Sequence, residues 1–279
     1  MNQKYVAVFL AAIMFMSIFP YLLSGGNTTD NTGDSVEYRN FSSVDGAHVD
    51  IPITSLTDGI AVTPPGAVAV QYMDIGEASQ SHLQLLVGNT SALDDLYGSS
   101  VVNEYSAAYA DSTWFELHKI SPEVIGFSYY LSPDLYNGYR LLMRQNGYYT
   151  VVGSPIIVGS LNTTQDVLDV ITGNTSKTTA FDDVLRYAVD DAQLEGASVL
   201  GDGADQYYMA WKALDSNTYT RTTVLLNPSM ATMENITAYS AAGEEKGLDY
   251  VVNTYGNITE VTVTTNASGF FTLASEPVM

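Results

Sequence analysis

The longest apolar run stands almost at the start of the chain. From Tyr5 to Leu23 the sequence reads YVAVFLAAIMFMSIFPYLL, 19 residues without a charge, with Lys4 before it and SGGNTTDNTGD after it. At about 1.5 Å per residue such a run crosses a hydrocarbon core of roughly 30 Å. The positive flank precedes it and the acidic flank follows. Residues 1–24 therefore read as an N-terminal membrane anchor with a cytoplasmic amino terminus, the bulk of the chain lying outside. A cleaved secretory signal is the competing reading, because Ser24 and Gly26 have small-x-small spacing. The apolar run is longer than a usual signal core, which favours the anchor; cleavage would leave a secreted protein.

Residues 25–65 are polar and broken by Gly, Asn, Asp and the pair Pro64–Pro65. They read as an extracytoplasmic tether with one short edge strand near His48–Ile53. After Gly66 the pattern becomes regular. Period-two segments, such as Thr220, Thr222 and Val224 against Arg221, Thr223 and Leu225, read as half-buried antiparallel strands. In TAFDDVLRYAVDD, Phe181, Val184, Leu185 and Ala188 share a helical face, with Asp182 and Arg186 spaced to pair on the other. Ser91 with Asp94, and Thr163 with Asp166, have capping-box spacing.

Three stretches repeat the order strand, turn, strand, capped helix. They are AVAVQYMDI with HLQLLVGN and TSALDDLYG; YRLLMRQN with GYYTVVGSPIIVGSLN and TTQDVLDVITG; and QYYMAWKAL with NTYTRTTVLLNP and SMATMENITAYSAAG. The pattern predicts an α+β fold of antiparallel sheets with packed helices. It further predicts an internal duplication of a ββαββ-like unit behind one N-terminal transmembrane helix. Residues 66–160 form the first α+β half and residues 161–279 the second.

Composition narrows the function. The 279 residues carry 31 acidic against 10 basic side chains, a net charge of -21, and no cysteine. Scattered Lys and Arg on so acidic a chain argue against nucleic-acid binding. Disulfides, zinc thiolates and cysteine nucleophiles are ruled out. Eight of the 16 asparagines begin an N-x-S/T triplet: Asn27, Asn40, Asn89, Asn162, Asn174, Asn235, Asn257 and Asn266. They are glycosylation candidates in a cell-surface glycoprotein, although Asn, Ser and Thr also gather at turns and helix starts.

Candidate chemistry begins with the three histidines, His48, His82 and His118. In WFELHKI, Glu116 and His118 share one strand face, the geometry of two metal ligands or an acid–base pair. A zinc site needs a third ligand, for which His82 or Asp50 are distant candidates. The alternative is a strand face whose Glu and His pair with cross-strand neighbours. No G-x-S-x-G elbow marks a nucleophile. Among the acidic clusters, LGDGADQ, with Asp202 and Asp205, is the most loop-like calcium candidate, yet none has the twelve-residue calcium-loop pattern. No other cofactor is called for. The 20 tyrosines recur in strand pairs, so Tyr129, Tyr148, Tyr208 and Trp211 are candidates for an amphipathic binding face.

The sequence thus points to a membrane-anchored, non-enzymatic binding or envelope-assembly module at the cell surface. Its partners would be the lipid bilayer through residues 5–23 and a surface protein or glycan. The rival is an exported metal-dependent hydrolase using Glu116 and His118.

Overall fold

The structure, a computed structural model, describes residues 39–277 apart from Asn89, Leu200 and Asp202. The apolar run at residues 5–23 lies outside the described residues. Two short strand pairs stand apart from the rest. They are β1 (Arg39–Asn40) with the antiparallel β6 (Val124–Ile125), and β2 (Val49–Asp50) with the parallel β10 (Gly153–Ser154).

All other described strands join one antiparallel sheet. Its members are β3 (Ala67–Asp74), β4 (Ser100–Tyr109), β5 (Trp114–Ser121), β7 (Tyr130–Leu131), β8 (Leu142–Met143), β9 (Tyr149–Val151), β11 (Ile156–Gly159), β12 (Leu194–Ser198), β13 (Gln206–Ala213), β14 (Thr218–Leu226), β15 (Asp249–Tyr255) and β16 (Ile258–Asn266). The order across the 12 strands is β15-β16-β14-β13-β12-β3-β4-β5-β11-β9-β8-β7. At the β15 edge, Val251, Val252 and Tyr255 are exposed.

The described helices are short: α1 (Leu56–Ile60), α2 (Ile75–Ala78), α3 (Gln84–Val87), α4 (Ser91–Tyr97), α5 (Leu161–Ile171), α6 (Asp182–Leu185), α7 (Met230–Gly243) and α8 (Phe270–Ser275). They cover both faces of the sheet. On one side Leu83, Tyr97, Ile236, Phe270 and Leu273 pack with Met73, Trp114, Ile156 and Trp211. On the other, Leu56, Ile60, Leu168, Phe181 and Val184 pack with Tyr72, Phe115 and Tyr208. Residues Ser55, Ser160 and Ser229 start α1, α5 and α7 by accepting the backbone N–H three positions on. Each thereby satisfies one of the donors a helix start leaves open.

Several sequence expectations are corrected here. The fold is not the predicted α+β duplication behind a transmembrane helix. It is a mostly antiparallel β structure built on one continuous sheet with few helices. Among the described residues, no helix is long and apolar enough to cross a membrane. Residues HLQLLVGN, read as a strand of the repeating unit, instead contain α3. The half-buried reading of β14 fails because both of its faces are roofed, and Tyr219 to Leu226 are all buried.

The amphipathic run at Phe181 makes a single turn, and Arg186 pairs with Asp183 at 3.5 Å rather than with Asp182. Asp94 does not cap α4. Its Oδ1 accepts from the backbone N–H of Val101 at 2.9 Å. Thr163 likewise does not head α5 but lies inside it, behind the Ser160 cap. Residues 39–65, read as part of a tether, pack onto the sheet. Val44, Val49, Ile53, Leu56 and Ile60 are buried, and Glu195 Oε2 accepts the N–H of Leu56 at 2.9 Å.

The approach of α1 to the sheet depends on Gly59. A Cβ there would meet the Tyr105 ring at 2.1 Å, and that ring is buried with its hydroxyl held by Thr63 Oγ1 at 2.5 Å. Gly59→Ala should therefore lower unfolding stability by about 1–3 kcal/mol in a urea titration. A variant as stable as the parent would show that α1 is not wedged against β4.

Candidate functional site

Strands β4 and β5 run antiparallel with Glu104 opposite His118, and Glu116 lies two residues before His118 on the same strand. Alternation puts Glu116 and His118 on one face, and the register brings Glu104 beside them. One donor atom from each lies within 4.8 Å of the others. All three are buried, at 5%, 1% and 0% exposure.

From α4, Tyr97 reaches into the cluster, and its hydroxyl lies 2.6 Å from His118 Nδ1. The other ring nitrogen, Nε2, faces Glu116 Oε2 at 3.2 Å. That contact has the separation of an ion pair but not the alignment of a hydrogen bond. Both Glu116 oxygens and His118 Nε2 are left without hydrogen-bond partners. Arg144 is also buried, with its guanidinium carbon 4.1 Å from the centre of the Phe127 ring and its Nη1 without a partner.

Burial pushes the Glu104 carboxyl up to about 7, against the opposing pull of His118 and with added repulsion from Glu116. For His118, burial would favour the neutral ring, but nearby Glu116 and then Glu104 outweigh it and raise its proton affinity. Burial likewise raises the Tyr97 hydroxyl and lowers the Arg144 guanidinium. The cluster can hold a proton or a cation between its carboxylates and imidazole. Its depth closes it to a substrate.

The sequence named Glu116 and His118 but missed Glu104. Its third-ligand candidates lie elsewhere. His82 Nδ1 is 2.8 Å from the Tyr219 hydroxyl, its ring packs near Phe270, and Asp50 is exposed on β2. The signal that could have found Glu104 was the pairing of two consecutive strands, EYSAAY and WFELHKI, across their short turn. Of the calcium candidates, Asp202 lies outside the described residues, and Asp205 is exposed and accepts from Asn227 Nδ2 at 2.8 Å.

The proposed aromatic face does not assemble from all four residues. Tyr208 is fully buried and donates to Glu195 Oε1 at 2.8 Å, and Trp211 is buried beneath Arg221. Tyr129 and Tyr148 are half-buried against Phe127 and Trp114. Of the sequon asparagines, Asn40, Asn162, Asn174, Asn257 and Asn266 are exposed and Asn235 is half-buried, while Asn27 and Asn89 lie outside the described residues.

A second feature, absent from the sequence reading, lies at the β7 end of the sheet. An open cleft of about 290 Å³ runs between the loop at residues 131–136, β8, β9 and the start of α5. Leu131, Leu135, Met143 and Leu161 line it, and all four are exposed. Tyr136 ties the loop to α5 by donating to Asp169 Oδ2 at 3.0 Å.

A family model described as the AF_2048_N family N-terminal domain matches residues 52–172, a span holding both the buried cluster and the cleft lining. Two solved structures match the chain. Crystal form III of TP0453 gives a TM-score of 0.50 at 11% identity, covering 82% of this chain and 99% of that one. Crystal form I gives 0.46 at 11% identity, covering 82% and 98%. No curated protein matches the chain.

The raised Glu104 and His118 affinities have a defined pH consequence. The folded cluster holds protons that the unfolded chain releases at lower pH, so its stabilising effect is present in acid. It declines as pH rises through the ordinary carboxylate and imidazole values toward the folded ones. In chelator-treated protein, stability should fall between about pH 5 and pH 8, by on the order of 3 kcal/mol from Glu104. The isosteric Glu104→Gln should flatten that part of the curve. Parallel curves for parent and variant in urea titrations would disprove the assignment.

Proposed function

We propose that the chain is a non-enzymatic binding or assembly module, held outside the cell by residues 5–23 and docking a segment of a surface protein in the cleft at the β7 end of the sheet. The cleft carries this reading. Several of the large apolar side chains exposed in the described residues gather around it, and clustered exposed apolar surface is a mark of interaction sites. Its lining favours apolar side chains over a glycan, since Leu131, Pro133, Leu135, Leu141, Met143 and Leu161 make up just over half of the residues at its wall. The hydrolase alternative fares worse, because the Glu116–His118 pair is sealed beneath α4 and no substrate reaches it.

The test is site-specific photocross-linking in intact cells, with the probe at Met143 of the full chain and a control probe at the exposed Thr254. The Met143 probe should give a discrete adduct that the Thr254 probe does not. Changing Leu131 and Leu161 to Asp should abolish it while leaving protein level unchanged. An adduct indifferent to those substitutions, or none beyond the control, overturns docking at the cleft. In sealed cells, added protease should digest the carboxyl-terminal portion; protection until lysis would overturn the extracytoplasmic placement.

A further inference from the structure

We propose that Glu104, Glu116 and His118 form a structural site for one divalent first-row transition cation, with zinc(II) the best fit, pinning β4 to β5 from inside the core. Three observations carry this. First, the donors have the spacing that strands provide for metals: two ligands at i and i+2 on β5 and a third directly across on β4. With bonds of about 2.1 Å and tetrahedral angles, ligand atoms sit roughly 3.4 Å apart. The His118–Glu116 contact is already 3.2 Å, and the whole set falls within 4.8 Å, so modest side-chain rotation closes it.

Second, the donor atoms of two of the three ligands are buried and unused. Both Glu116 oxygens and His118 Nε2 have no hydrogen-bond partner, although a buried carboxylate left so is costly. Arg144 is the nearby cation, yet among the described residues its guanidinium hydrogen-bonds neither carboxylate and lies against Phe127 instead. A cation between the carboxylates and the ring would satisfy the Glu116 oxygens and His118 Nε2 together. Third, the outer contact is in place. The Tyr97 hydroxyl holds His118 Nδ1 at 2.6 Å and so orients Nε2 toward the carboxylates.

The donor chemistry selects the ion. One imidazole nitrogen with two carboxylates suits zinc(II) or manganese(II), whereas calcium takes six or more oxygens. Because the site is closed to substrate, the ion would act on stability alone. The inference is independent of docking at the cleft.

The full chain would be unfolded with chelator and refolded near neutral pH with zinc(II) or cobalt(II), then desalted in high salt to strip ions held loosely by the acidic surface. The expected result is one ion per chain by elemental analysis, a raised unfolding midpoint, and cobalt ligand-field bands of low coordination number. Glu104→Gln and His118→Gln should each abolish stoichiometric binding. Tyr97→Phe, a positioning change, should weaken it by about tenfold, and Asp205→Asn should leave it unaltered. Parent protein that refolds without retaining an ion, or retention undiminished in Glu104→Gln, overturns the proposal. Should the His118 variant fail to fold, the parent stoichiometry and the Glu104→Gln result still decide it.

Discussion

Because helices roof both faces of the sheet, any polar side chain on a central strand must find its partner inside the protein. Most of β14, β5 and β12 is shut off from water, and the polar groups buried there show how the fold meets that constraint. Arg221 on β14 is the clearest case. Its guanidinium donates to the carbonyls of Leu273, Glu276 and Pro277, tying off the end of α8. Burial lowers its proton affinity to about 10, and it stays a cation. Glu195 on β12 does the complementary work, accepting from Leu56 at the start of α1 and from the Tyr208 hydroxyl. Thr222 and Thr262 bridge β14 to β16 through their hydroxyls at 3.1 Å.

Arg221 keeps only its Nε without a partner, whereas in the cluster on β4 and β5 three polar atoms lie unmatched together. The same burial that is matched by hydrogen bonds at Arg221 and Glu195 leaves both oxygens of Glu116 unmatched. Unpaired polar atoms in an interior are destabilising by about 1–3 kcal/mol each. Their grouping around one histidine gives the cluster its chemical interest. Two features thus lie apart in the fold: a knot of buried ionisable groups on β4 and β5, and exposed apolar side chains at the β7 end.

Local signals in the sequence were legible where the chain itself sets the structure. The strands at Gln206–Ala213 and Thr218–Leu226 and the helix at Met230–Gly243 follow from alternation and from the cap at Ser229. What could not be read was coverage. A strand of Thr, Tyr and Arg roofed on both sides looks half-polar in sequence, so β14 read as one-sided. The segment before Pro64 read as a tether because it is polar and broken by Gly, Asn, Asp and proline, yet its Val44, Val49 and Ile53 are each buried in the core. Glu116 and His118 were visible as neighbours on a strand, whereas Glu104 needed the β4–β5 register. The cleft needed tertiary structure altogether, since its leucines come from a loop, a short strand and a helix start.

The open rim at β15 bears on how copies of the molecule meet one another in solution. Its seven residues pair with β16 on one side only; among the described residues no strand covers the other side, and with Val251, Val252 and Tyr255 exposed it forms a template onto which a second chain could stack. Asp249 is the single charge along it, so little on the strand itself repels a neighbour. That task falls to the charge of -21 spread over the whole chain, which acts at a distance of about 10 Å in 0.1 M salt and less as salt increases. Ionic strength therefore sets how closely two such rims can approach.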